Sequence, residues 1–178
     1  HLGGTLDDAA GEAFDKVARM LKLPYPGGPS IQNAARDGNP QAFNFPRSWL
    51  ENTWNFSFSG LKTAVLREVR ALEKENRSLP VANLAASFQN AVVDVLFEKT
   101  MRAARQFAVR SILVAGGVSA NEALRHRFTS QSEFPVHIPP LSFCTDNAAM
   151  IASAGYYHFC SGHIDPLDLD VLPTWPLS

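Results

Sequence analysis

Leu6, Ala10, Ala13, Phe14, Val17 and Leu21 recur at three- and four-residue intervals, the spacing of one face of a helix. Thr5 and Asp8 stand where a capping box would open that helix, which is expected to run for about four turns. It must stop before Pro24-Tyr25-Pro26-Gly27-Gly28-Pro29, where three prolines and two glycines predict a rigid loop with exposed backbone. A short helix is expected over 30–38, and the stretch 39–55, punctuated by Pro40, Pro46, Trp49 and Trp54, reads as irregular. Residues 56–63 alternate like a strand and enter a helix whose apolar face is Leu61, Val65, Val69 and Leu72. Pro80 opens a long helix, carried by Leu84, Phe88, Val92, Val95, Leu96 and Phe107 to the neighbourhood of Arg110.

The pattern changes at Ser111. Ser111-Ile112-Leu113-Val114-Ala115 is an apolar run ending in Gly116-Gly117, as a buried central strand would read. A helix follows over 119–128, then a second strand at Val136-His137-Ile138 and a small-residue-rich helix over 145–159. The tail 164–178, with three prolines and Trp175, reads as a strap. The expected architecture is α/β, with a mainly helical part over 1–110 and a strand–helix lobe with a C-terminal strap over 111–178.

Composition narrows the partners. Sixteen basic and 17 acidic residues leave a formal charge of -1, so no global basic field attracts a polyanion and any RNA contact must be local. Lys99, Arg102 and Arg110, with Arg125 and Arg127 beyond them, read as a solvated helix face ahead of an RNA contact. Cys144 and Cys160 form no CxxC, which suits a reducing compartment and neither a disulfide framework nor a zinc knuckle. No run approaches the length of a membrane span, and the first residues lack the order of a signal peptide, so a cytoplasmic or mitochondrial protein is expected.

Chemistry is concentrated in two turns and two carboxylates. Gly116-Gly117-Val118-Ser119-Ala120-Asn121 follows the apolar strand. Its glycines let backbone approach a ligand, a helix N-terminus behind them offers N–H groups to a phosphate or purine, and Asn121 can pair with hydroxyls or a base edge. A tight turn that needs glycine only for packing would read the same way. Asp15 precedes the Gly27-Gly28 turn, and a carboxylate suits a ribose diol, although Asp8, Glu12 and Asp15 together also read as a solvated helix face. Asp146, behind Thr145 as a helix cap, complements a helix dipole or serves as a metal ligand; the histidines supply no i, i+4 pair to join it. Residues 58–63 combine Gly, Lys and Thr without the spacing of a phosphate loop.

Five strings taken in order carry more information than any one: 4–16, 25–29, 56–63, 115–121 and 144–150. Together they resemble the universal threonylcarbamoyl transferase family, in its bacterial and mitochondrial branch, formerly known as O-sialoglycoprotein endopeptidases. The resemblance implies two ribonuclease-H-like lobes with a nucleotide in the cleft, the superfold of actin, Hsp70 and the sugar kinases. It implies transfer of a threonylcarbamoyl group from threonylcarbamoyl-adenylate to the exocyclic amine of the adenosine beside the anticodon of tRNA, with AMP leaving. It also implies that Asp15, Gly28 and Asn121 contact the AMP- or ATP-derived adenylate, beside the turn read above at Gly116 and Gly117, and that Asp146 is one ligand to iron or zinc.

The resemblance also implies partners in bacteria, a homologous inactive subunit and an ATPase subunit. Members carry a paired-histidine metal motif and a glycine-rich loop ahead of the string that opens this chain, and neither occurs in it. The chain is therefore expected to start inside the fold, with weak or no metal binding and no transfer on its own. The competing readings are a metalloendopeptidase, for which the sequence has no HExxH, and a non-catalytic nucleotide-binding scaffold. A phosphotransferase of the same superfold matches the five strings less well.

Overall fold

The computed structural model describes residues 1–51 and 53–170. Along the chain run α1 (Ala10–Met20), α2 (Gly27–Ala35), α3 (Ser59–Lys74), α4 (Val81–Gln106), β1 (Ile112–Leu113), a 3-10 turn (Gly117–Ala120), α5 (Glu122–Gln131), β2 (Val136–His137), a second 3-10 turn (Leu141–Phe143) and α6 (Ala148–Cys160). β1 and β2 are parallel, with Ile112 opposite Val136 and Leu113 opposite His137.

Long α4 is the common support. Its first half packs with α1, α2 and α3 around Phe14, Ile31, Leu61, Val65, Leu84 and Phe88. Phe14 and Phe88 meet edge to face with 5.1 Å between ring centroids, an arrangement that adds about 1 kcal/mol to the burial of two large rings and links α1 to α4. The second half of α4 gives Phe97, Met101 and Ala104 to another cluster with Ile112, Leu124 and Phe128. One helix thus serves two cores, and the segments on either side of residue 110 share it.

A polar stripe on α4 holds the irregular segment 39–55. Asn83, Ser87, Asn90 and Asp94 recur at helical spacing. Asn83 accepts from the Asn39 amide, Ser87 accepts from the Phe43 amide and donates to the Asn39 carbonyl, and Asp94 binds the Arg47 guanidinium at 2.8 Å. Lys99 completes the row. It is only 2% exposed, donates to the carbonyls of Trp49 and Asn55, and lies over the Phe56 ring. Burial, with the charge of Arg102 as a smaller contribution, pushes its ammonium below the ordinary lysine value. Lys99 is therefore no part of a basic surface face. Arg125 and Arg127 also turn to partners, Arg125 to the carbonyls of Ser119 and Pro139, and Arg127 to Glu98 and the Phe97 ring.

Several expectations shift in position. α1 begins at Ala10, not beside Thr5, because the Thr5 hydroxyl bonds locally to the Asp8 carbonyl and Thr5 pairs with Phe56 as a parallel bridge; Leu6 is left exposed. α2 begins inside the expected loop, since Pro29 falls in its first turn where no intrahelical N–H is required. β1 is not a buried central strand: Ile112 faces the core while Leu113 is 79% exposed. α4 ends at Gln106, leaving Phe107 exposed. Asn147, not Thr145, caps α6 by accepting from the Met150 amide. The strap expected over 164–178 extends beyond the described residues; those described, to Asp170, form no helix or strand.

The carboxylates at the start of the chain are structural. Asp7 accepts from the amides of Phe58 and Ser59 and from the Ser57 hydroxyl, so a side chain of the protein itself fills the N-terminus of α3. Burial raises its carboxyl, the three donors together outweigh that effect, and the net direction is down. Asp8 is buried between Lys16, at 2.6 Å, and Lys62, at 2.5 Å, and the hydrogen bonds from Lys16 and then Lys62 hold its carboxyl below its ordinary 3.8.

Two outcomes follow from this packing. A Cβ at Gly38 would lie 2.0 Å from the carbonyl oxygen of Ala82, so Gly38→Ala should cost about 2 kcal/mol or more in denaturant unfolding. Because the folded carboxyl of Asp8 is depressed, its contribution is complete above the ordinary carboxylate range and lost as pH falls through the lowered value. Asp8→Asn should therefore lower Tm at neutral pH and flatten the decline below about pH 4. Parallel Tm–pH curves for the two proteins would contradict this role.

Candidate functional site

The site begins where α2 starts against α1. The Asp15 carboxylate accepts from the Gly27 amide through Oδ1 at 2.7 Å, capping α2 from a neighbouring helix. A Cβ at Gly27 would lie 2.4 Å from the Asp15 Cα and 2.7 Å from the Phe14 carbonyl oxygen, so the backbones meet only because residue 27 has no side chain. At Gly28 a Cβ would meet nothing within 4 Å. One glycine of the pair serves packing, and the next leaves open space.

The second wall comes from the turn after β1. Gly116 has φ of 86°, a left-handed conformation that favours glycine. The chain then makes the 3-10 turn Gly117–Ala120, and Asn121 becomes the N-cap of α5, its Oδ1 accepting from the Leu124 amide at 3.0 Å. Two amides at the start of α5 are taken by side chains, Leu124 by Asn121 and Glu122 by Gln32 of α2 at 2.8 Å. Those two N–H groups are not free for a phosphate, unlike the open helix terminus expected there. Arg125 reaches back to the Ser119 carbonyl at 2.9 Å and fastens the turn to α5.

Between these walls lies a cavity of about 600 Å³. Asp15, Gly28, Gly117 and Asn121 all line it, with Phe14, Pro26, Pro29, Val118 and Ala120 as apolar surface. Gly116 sets the turn and is not in the lining; Asp146 is not in it either, whereas its neighbour Thr145 is. Gln32 and Tyr25 also line it. Gln32 escaped the sequence reading because one glutamine on a short helix carries no signal, although its place four residues after Gly28 puts it one turn further along the same side of α2.

The chemistry of this wall is specific. Asp15 uses one carboxylate oxygen on Gly27, which leaves the other as an acceptor. Gln32 uses its oxygen on Glu122, so its amide N–H groups remain as donors. Apolar surfaces flanked by one carboxylate oxygen and amide donors suit a flat heterocycle joined to a polyol. Asp146 is exposed, and among the described residues no group of three His, Cys, Asp or Glu side chains could hold a metal ion. Asp146, which the resemblance implied as one ligand of an iron or zinc site, is thus not part of a complete ligand set among the described residues.

The family model described as TsaD, tRNA N6-adenosine threonylcarbamoyltransferase, matches residues 1–153. The chain belongs to that family. It is 56% identical over 173 residues to the tRNA N6-adenosine threonylcarbamoyltransferase of Dehalococcoides mccartyi strain BAV1, covering 97% of this chain and 52% of that protein. With the protein of the same name from Moorella thermoacetica the identity is 52% over 181 residues, covering 99% of this chain and 53% of the relative. The chain thus spans about half the length of the curated relatives it matches. In fold it is similar to the crystal structure of T. kodakarensis HypF, with a TM-score of 0.64 and 20% identity over 88% of this chain and 20% of that one. The chain is an α/β portion of the actin, Hsp70 and sugar-kinase superfold.

The two adjacent glycines give a paired outcome. Gly27→Ala should lose about 2 kcal/mol or more of stability, because backbone stands where its methyl would go. Gly28→Ala, in the first turn of α2, should leave stability unchanged or raise it by about 0.5 kcal/mol while narrowing the cavity. Equal losses in thermal or denaturant unfolding would show that the two positions are not distinct.

Proposed function

We propose that this chain forms the adenylate-binding wall of an enzyme that transfers a threonylcarbamoyl group from threonylcarbamoyl-adenylate to the exocyclic amine of the adenosine beside the anticodon of tRNA. The observation that carries the reading is the convergence of Asp15, Gly28 and Asn121, more than a hundred residues apart at the extremes, on one cavity. The family membership supports the reaction, and the polarity of the wall supports the ligand.

In this reading the free oxygen of Asp15 accepts from the ribose hydroxyls, and the open space at Gly28 lets the sugar lie against the backbone. Phe14, Pro29 and Val118 exclude water from the adenine, while Gln32 and Asn121 present N–H donors to acceptors on its edge. Holding AMP in this way fixes the mixed anhydride carbonyl for attack by the tRNA amine. The C–N bond forms as the bond between the carbonyl carbon and the phosphate oxygen breaks, AMP departs with that oxygen and its electron pair, and the amine gives up one proton to solvent. No step is assigned to a metal. The reading includes a cytoplasmic setting, which the bacterial relatives favour, and, from the resemblance alone, a homologous inactive subunit and an ATPase subunit as partners.

Thermal unfolding with added nucleotide tests the binding. AMP at a hundred times its Kd should stabilise the protein by about 2.7 kcal/mol. Asp15→Asn should lose most of that effect, since a hydrogen bond to a charged group is worth about 2 kcal/mol, or about thirtyfold in affinity, and Asn121→Ala, which removes a neutral donor, should lose up to about 1.5 kcal/mol of it. In a full-length protein that includes this chain, Asp15→Asn should lower the kcat/KM for AMP release by a similar factor. A midpoint unmoved by AMP and ADP, or moved equally in the variants, would overturn the reading.

A further inference from the structure

Asn121 is held at both ends. Its Oδ1 faces the Leu124 backbone amide, which can only donate, so the group there must be the oxygen and the side-chain nitrogen must point the other way. That nitrogen lies 2.8 Å from Gln89 of α4, which must therefore present its Oε1. The two side-chain amides form a chain of fixed polarity, from the Leu124 N–H through Asn121 to Gln89. The nitrogen carries a second hydrogen with no partner among the described residues, and Asn121 lines the cavity while being only 8% exposed.

Gln89 does not line that cavity. It lies in the wall of a separate groove, beside Asn90, His126 and Arg127, and is half-buried on the helix that both cores share. Any influence on a ligand must pass through Asn121. We propose that Gln89 is a positioning residue: by accepting one amide hydrogen of Asn121 it locks the orientation in which the other is delivered to the nucleotide. Without that acceptor, the Asn121 side chain keeps its bond to Leu124 but loses the restraint on its nitrogen. The proposal rests on the adenylate reading of the cavity and adds a residue outside it.

The test compares Gln89→Leu, which removes the acceptor, with Gln89→Glu, which retains one, using AMP as the probe on the whole chain. AMP affinity by titration calorimetry should fall about fivefold to tenfold in Gln89→Leu and stay within about twofold in Gln89→Glu. The free proteins should differ in Tm by less than about 4 °C. A purely structural role would move Tm and leave the affinities equal. If Asn121→Ala weakens AMP binding and Gln89→Leu does not, the cavity reading stands and this inference falls. If the wild type binds no AMP, the cavity reading falls, and the side-chain amide resonances of Asn121 decide the positioning alone. One exchange-protected proton, the one bonded to Gln89, that loses protection in Gln89→Leu supports it, and unchanged resonances overturn it.

Discussion

Everything at the site depends on how closely two helices can approach. α2 begins almost on the backbone of α1, with Asp15 capping it, because residue 27 contributes no Cβ. A helix start is a cluster of unsatisfied donors, and burying it against another helix is tolerable only if something accepts from them. Asp15 does so with one oxygen and keeps the second for the cavity. The same carboxylate therefore closes the α1–α2 junction and faces the ligand space, and the apolar wall made by Phe14, Pro26 and Pro29 follows from that junction.

The opposite wall is fixed by a different device. The turn at Gly116 is positioned by side chains from three elements, Gln32 from α2, Gln89 from α4 and Arg125 from α5, all of which bind neutral partners. Such bonds contribute roughly 1 kcal/mol each and are individually modest. Their effect is geometric, since they tie the 3-10 turn and the α5 cap to helices whose own positions are set by large apolar contacts. The rigid part of the molecule is thus α4, with one end in each core.

Apolar periodicity made the helices of this fold readable: Leu61, Val65, Val69 and Leu72 are all buried on α3, and the long helix after Pro80 is present. Local polar competition misled the boundaries. The Thr5 hydroxyl has a partner within its own turn, and Asn147 offers a better cap than Thr145, choices that side chains settle over one or two residues. Lys99 was misread because lysine is normally exposed; its carbonyl acceptors come from an irregular segment forty to fifty residues away that has no period to reveal it. The stripe Asn83, Ser87, Asn90 and Asp94 has helical spacing, but nothing in the sequence shows that loop backbone lies over it. At the site, glycines and a carboxylate stood out by residue type, whereas Gln32 and Gln89 act through contacts that exist only once the helices have packed.

α6 has a different significance. None of its side chains is buried, although the helix is apolar around most of its circumference, with Ile151, Tyr156, Tyr157 and Phe159 open to solvent and a free thiol at Cys160. Water wets such a surface poorly, and contiguous apolar area of this kind promotes contact between molecules. Colloidal behaviour of this chain is then governed by a short segment that begins three residues after the cavity-lining Thr145.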